Sequence, residues 1–184
     1  MNYESFIGKA HVFGDNINTD LISPSRYMEE DTKTIAKHAM EGVSPGFSDK
    51  IKDGDILVAG KNFGSGSSRE TAPAALLGCG LSVVIASSFA RIFFRNCINI
   101  GLPVMICELT REISDGDELE VSLSLGIIHN ISTNKSYSCQ PLPSHVLNII
   151  ENGGLLGELD RRFADSVQHD SVKNASVASA TSFP

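Results

Sequence analysis

Apolar residues fall along this chain in short runs separated by polar, glycine-bearing turns, and their spacing predicts a sheet with crossover helices. Residues 8–13 read as an opening strand that ends at the turn Gly14-Asp15-Asn16. A polar loop follows through Thr19-Asp20 and Ser23-Pro24-Ser25-Arg26. Asp31 or Thr32 then caps a helix with an apolar face of Ile35, Ala36, Ala39 and Met40, stopped at Gly42. Residues 43–49, with Pro45 and Gly46, read as loop. Ile56–Ala59 is a buried strand behind the turn Asp53-Gly54-Asp55, and Gly64-Ser65-Gly66 opens a helix over about 68–77. A strand at 82–86, a second helix capped by Ser88 and ended by Gly101, and a strand at 103–107 complete a βαβαβ unit. That second helix packs Phe89, Ile92, Phe93 and Cys97. After Asp115-Gly116-Asp117 the pattern turns to strict alternation. Residues 118–123 form a strand, 127–131 and 135–139 a hairpin about Thr133-Asn134, and Ser144–Glu151 a terminal helix stopped by Gly153-Gly154.

The fold class is therefore α/β, with a partly parallel sheet. A length of 184 residues, 41% apolar and 20% charged, fits a single domain with its own core, placed at 1–162. From residue 163 the chain is mostly Ser, Ala and Asp with one late aromatic, Phe183. Such a segment cannot bury enough surface to offset its ordering entropy, so 163–184 is expected to be a disordered tail. The net charge of −7 argues against nucleic acid but leaves room for a local basic site that takes a small acid. Cys79, Cys97, Cys107 and Cys139 form no CxxC pair and no zinc or cluster spacing, so no metal site is expected in this chain. The start lacks a signal-like basic and apolar run, and no apolar stretch approaches the roughly 20 residues of a membrane span. A cytoplasmic protein without a membrane segment is the expectation.

The densest chemistry lies in residues 62–70, Asn-Phe-Gly-Ser-Gly-Ser-Ser-Arg-Glu. Glycines there let the backbone turn tightly and approach a ligand, which makes Gly66 a candidate contact. Ser67 and Glu70 stand at capping-box spacing, and Arg69 offers a forked donor for a carboxylate. A helix N-terminus at this point would add unpaired N–H groups and partial positive charge. Two readings stand: a grip for a carboxylate or phosphate, or a well-capped helix with a solvated arginine. The segment lacks the lysine of a P-loop and the GxGxxG spacing of dinucleotide sites.

Four ordered stretches resemble one family. Residues 14–20, Gly-Asp-Asn-Ile-Asn-Thr-Asp, are followed by Pro24-Ser25-Arg26-Tyr27, by 63–70 and by 88–96, Ser-Phe-Ala-Arg-Ile-Phe-Phe-Arg-Asn. Over roughly residues 8–160 the chain resembles the 3-isopropylmalate dehydratase small subunits, which are similar to the mobile C-terminal domain of aconitase. The resemblance implies a swivelling β/β/α three-layer domain that closes over a [4Fe-4S] cluster held by a separate large subunit. It implies a hydro-lyase that isomerises 2-isopropylmalate and 3-isopropylmalate by dehydration and rehydration in leucine biosynthesis. A serine alkoxide removes the proton beside a carboxylate, and the cluster iron takes the hydroxyl. By motif match Ser67 is the base, Ser68 and Arg69 hold substrate carboxylate, and Asp20 is the other acid. These residues are expected to face a cleft where the partner brings the acid. Arg91 reads equally as a further anion contact or as a structural pair on its helix.

The chain departs from the family at two places that bear on chemistry. Thr71 stands where His usually follows Arg-Glu, and Ser65 where bacterial relatives often have Cys. In relatives the residues after the Tyr of the Pro-Ser-Arg-Tyr stretch help to choose substrate. Here they are Met28-Glu29-Glu30-Asp31. Met28 suits an alkyl branch, and no Arg is present for a third carboxylate. The acidic residues either repel such a group or are simply a solvated helix start. Related dicarboxylates such as citramalate or dimethylmalate are alternatives, as is an anion-binding module without catalysis.

Overall fold

The computed structural model describes residues 5–164. The elements run β1 (Phe6–Val12), α1 (Thr19–Ile22), α2 (Thr32–Lys37), β2 (Ile56–Ala59), α3 (Thr71–Gly78), β3 (Val83–Ala86), α4 (Arg91–Asn99), β4 (Val104–Ile106), β5 (Glu118–Ser122), β6 (Ile127–Asn130), β7 (Lys135–Ser138) and α5 (Ser144–Glu151). A last helix covers 155–164. One seven-stranded sheet has the order β4-β3-β2-β1-β5-β6-β7. The four strands β1 to β4 pair in parallel, and β1 then pairs antiparallel with β5, which leads into the β5–β6–β7 meander.

Alternation along the parallel strands builds two cores. Leu57, Ala59, Val84, Ala86 and Val104 face α3 and α4, where Ala72, Leu76, Phe93 and Cys97 meet them. Their neighbours Ile56, Val58, Val83, Ile85 and Met105 face the opposite way and pack against Leu119, Val121, Ile128 and Tyr137. The sheet must therefore curl until its antiparallel half covers its parallel half. The result is three layers: helices, parallel strands and antiparallel strands. Outside α3, Ile35 and Ala39 on and after α2 pack against Ala75.

The expected βαβαβ unit is β2–α3–β3–α4–β4, and Ile56–Ala59 and Ser144–Glu151 keep the expected bounds. Several expectations fail, among them the helix read up to Gly42, which ends at Lys37 and leaves Met40 left-handed at φ 58°. The helix read over 68–77 starts only at Thr71, and its N-cap, Glu70, makes no side-chain cap bond. Pro73 gives the reason. In a helix begun at Ser68 it would leave the carbonyl of residue 69 without its donor, whereas as the third residue it lacks only an N–H that the first turn leaves unpaired anyway. Ser88 does not cap α4, whose N-cap is Ala90; the Ser88 hydroxyl instead accepts from the Asn62 N–H at 2.9 Å. The loop through Thr19-Asp20 contains the one-turn α1, capped by Asn18, whose side chain accepts from the Leu21 N–H at 3.0 Å. Beyond Gly153-Gly154 the helix over 155–164 was not foreseen either. It runs two residues past the expected domain end, and the rest of the expected tail, 165–184, lies outside the described residues. No helix among the described residues is long and apolar enough to cross a membrane.

Candidate active site

Three loops leave the C-terminal ends of β1, β2 and β3 and meet, the place where open α/β sheets present their ligands. Backbone bonds join them: Gly60 N–H to the Gly14 carbonyl at 3.1 Å, Gly64 N–H to Ile17 at 2.7 Å, and Phe63 N–H to Ser88 at 3.0 Å. Between Asn16 and Asn62, both left-handed, the Asn62 amide donates to the Asn16 side chain at 3.0 Å. Gly64 is also left-handed, at φ 75°, and lies on the ring of Phe93. A Cβ built there would stand 2.0 Å from the ring, so no larger residue fits. Phe63, Phe89 and Phe93 pack edge-to-face and stacked beneath it. The loop thus rests on an aromatic floor.

On this floor residues 65–70 form a loop rather than a helix start. The capping box expected at Ser67 and Glu70 is absent, because the Ser67 N–H donates to Thr19 Oγ1 at 3.1 Å. Arg69 crosses to α1. Its Nη1 donates to Asp20 Oδ1 at 2.5 Å and to the Ser25 hydroxyl at 3.4 Å, while Ser25 donates to the same Asp20 oxygen at 2.6 Å. Ser25, and then Arg69, hold the Asp20 carboxyl below its usual range, so it stays ionised and paired at neutral pH. The Arg69 side chain is only 18% exposed against 56% for Asp20, which leaves the carboxylate facing outward over a shielded guanidinium. An ion pair this exposed is worth about 0.2–1 kcal/mol. It is strong enough to orient Arg69 and weak enough to yield to an incoming carboxylate.

The site residues therefore divide. Asp20 and Arg69 are brought together, Ser67 is half-buried between them in the chain, and Ser68 and Gly66 are exposed beside it. Met28 closes the one-turn 3-10 helix Ser25–Tyr27 and is 45% exposed. Its turn is fixed from behind, where Tyr27 stacks on His38 at 3.7 Å and both Arg26 and His38 reach Glu41 at 2.7 Å. Thr71 begins α3 with a buried hydroxyl that has no partner among the described residues. The residues missed by sequence reasoning are Thr19, Ser25 and Asn96. The buried Asn96 donates its side-chain N–H to the Ser68 carbonyl at 3.2 Å. Each lay inside a quoted motif, and only its burial or reach singles it out.

None of the four cavities described is lined by Ser67, Ser68 or Arg69. A cavity of about 270 Å³ lies at the ends of β1 and β2, lined by Gly14, Asp15, Gly60 and Arg111 among others. Among the described residues no three His, Cys, Asp or Glu side chains gather as metal ligands.

Comparison with known proteins gives consistent matches. Residues 13–108 match the model of the aconitase C-terminal domain. The chain is 52% identical over 167 residues to a 3-isopropylmalate dehydratase small subunit of Caldicellulosiruptor saccharolyticus, covering 88% of this chain and 96% of that one. It is 54% identical over 150 residues to that of Methanosarcina acetivorans, covering 81% and 93%. Its fold is similar to a crystal structure of 3-isopropylmalate dehydratase from Methanocaldococcus jannaschii, with a TM-score of 0.86 and 42% identity over 90% of this chain and 99% of that one.

Proposed function

Because this chain belongs to the aconitase C-terminal domain family and, within it, to the 3-isopropylmalate dehydratase small subunits, we propose that its loop at 63–70 supplies the base and the carboxylate grip for a hydroxyl shift on an isopropylmalate-class acid. The chain is a hydro-lyase subunit that works with a large subunit. The reaction interconverts 2-isopropylmalate and 3-isopropylmalate by dehydration and rehydration, in leucine biosynthesis. The free cysteines, two of them buried, fit a reducing cytoplasm.

In this reading Ser67 takes the proton from the carbon beside a carboxylate. A free hydroxyl is far too weakly acidic for that at neutral pH, so the alkoxide needs positive surroundings. Since α3 begins four positions after Ser67, the helix dipole, which fades within a turn, contributes little. The guanidinium of Arg69 and a dry, closed site carry the larger share. Arg69 keeps Nε and Nη2 without a partner among the described residues, and this open edge takes one substrate carboxylate together with Ser68 and the Gly66 backbone. Asp20 keeps Arg69 oriented and is the other acidic residue of this half of the site. Met28 meets the alkyl branch.

The residues of this chain do not fit an iron–sulfur cluster, because no group of three ligand side chains gathers among the described residues. The [4Fe-4S] cluster is assigned to the large subunit, which also closes the open side of the site. One observation carries the reading: Asp20, Ser25 and Arg69, drawn from three motifs and with Asp20 and Arg69 49 positions apart, meet as one constellation.

The test is turnover of 3-isopropylmalate by the reconstituted two-subunit complex. Ser67→Ala should lower kcat by about 10²–10⁴-fold with an unchanged melting curve. Normal turnover by this variant would overturn the base assignment. Turnover confined to citramalate or dimethylmalate would move the substrate, and ligand binding without any turnover would leave an anion-binding module.

A further inference from the structure

We propose that Thr19 is a positioning residue for Ser67, its buried hydroxyl fixing the backbone of the serine whose side chain reacts. The proposal rests on the reading of Ser67 as the base and adds the element that aims it.

The need for such an element follows from the loop itself. Gly64 and Gly66 flank the approach to Ser67 with φ of 75° and 105°, and glycine gives the backbone more freedom there than any other residue. Ser67 also precedes α3, so its N–H has no place in the helical ladder. Left alone, this stretch has neither a stiff backbone nor a fixed hydrogen bond. Thr19 supplies both. Its N–H donates to the Ser65 carbonyl at 2.8 Å, and its Oγ1 accepts from the Ser67 N–H at 3.1 Å. The two bonds bracket Gly66, where an added Cβ would come within 3.4 Å of the same Thr19 hydroxyl. Thr19 is itself immobile: 1% exposed, β-branched and at the first position of a helix capped by Asn18. On the far side, Asn96 of α4 holds the Ser68 carbonyl at 3.2 Å. The Ser67-Ser68 pair is therefore clamped at one end by α1 and at the other by α4.

A displacement of about 1 Å can cost about 10²-fold in rate, so a lost clamp should show in turnover rather than in affinity. Thr19→Val keeps the shape and burial but removes the acceptor, and Thr19→Ser keeps the acceptor. In the complex with the large subunit, on 3-isopropylmalate and well below both melting temperatures, Thr19→Val is expected to lower kcat about 10- to 100-fold, with KM changed by less than about 2-fold. Thr19→Ser is expected to restore most of it. In the Ser67→Ala background, adding Thr19→Val should cost nothing further, because two residues that act as a unit do not add. Should Thr19→Val fold poorly, Thr19→Ala gives the same comparison.

Wild-type kcat in Thr19→Val, equal loss in Thr19→Ser, or additive losses in the double variant would overturn the proposal. If Ser67→Ala keeps wild-type turnover, the base assignment falls and takes this proposal with it. If Ser67→Ala is dead and Thr19→Val is normal, only the positioning role falls.

Discussion

The two halves of the sheet bury themselves differently, and the chemistry sits with only one of them. Every residue of β2 and β3 is buried, because helices cover one face and the antiparallel strands cover the other. In β5 and β6 burial alternates, one face toward the core and one toward water, and the edge strand β7 buries only Tyr137. That is the contrast expected between a doubly covered parallel sheet and a singly covered antiparallel one. The half with no free face is also the one whose strand ends carry the candidate site, and a rigid base is what a set of loops needs if it is to hold reacting groups to within a fraction of an ångström.

Substitutions can break this contrast. The largest difference should come from Leu57→Ala on the helix-facing side of β2 against Ile127→Ala on the outer face of β6, residues that are 0% and 40% exposed. The first should cost about 2–5 kcal/mol of unfolding free energy, and the second should stay within about 0.5 kcal/mol. Equal losses in denaturant titrations would mean the halves are equally committed to the core. A smaller effect is expected from Gly64→Ala, which forces a side chain onto the Phe93 ring in a left-handed backbone. It should cost about 1–3 kcal/mol and lower turnover, since the same loop carries Ser67. A stable but inactive variant would sharpen the contrast further, placing the damage in the loop alone.

The smallest effect concerns acid. Asp55, at the entrance to β2, accepts from His11 at 2.7 Å and from the Lys52 N–H at 3.1 Å. Burial raises its pKa, but the hydrogen bonds from His11 and Lys52 outweigh burial and set it below the ordinary 3.8. The unfolded chain therefore binds the proton more readily. The stability this group contributes is complete above 3.8 and is lost only as pH falls through the lowered value. Asp20 behaves in the same sense. Melting temperatures should not respond to either carboxylate between about pH 8 and pH 5. A fall in that range that Asp55→Asn abolishes would contradict this assignment.

Much of the architecture was legible because the two halves differ in pattern. Continuous β-branched runs gave β2 and β3, alternation gave the hairpin, and the four motifs led to the loop at 63–70. What stayed hidden depends on contacts between distant positions. Serine at 67 and glutamate at 70 have the spacing of a capped helix, but Thr19, 48 positions away, takes the Ser67 N–H in place of the Glu70 side chain. Pro73 was the available local clue. The helix α1 spans four residues, too few to show a period, and its cap, Asn18, is also a common turn residue. Ser88 has a cap's chemistry, yet the neighbouring loop claims its hydroxyl. How far Ser67 and its neighbours are buried could not be inferred either, because burial depends on contacts between segments far apart in the chain.

The central strand also constrains how a nascent chain closes its sheet. β1 precedes β2 along the chain, and β2 can join one of its edges early. The other edge waits for β5: Ser5 and Glu120, hydrogen-bonded across that pairing, stand 115 positions apart. Until then the strand destined for the middle of the sheet offers an unpaired row of N–H and C=O groups, a template for any passing strand. The long separation of β1 and β5 thus puts a high-contact-order closure at the centre of the sheet, a kind of pairing that forms slowly.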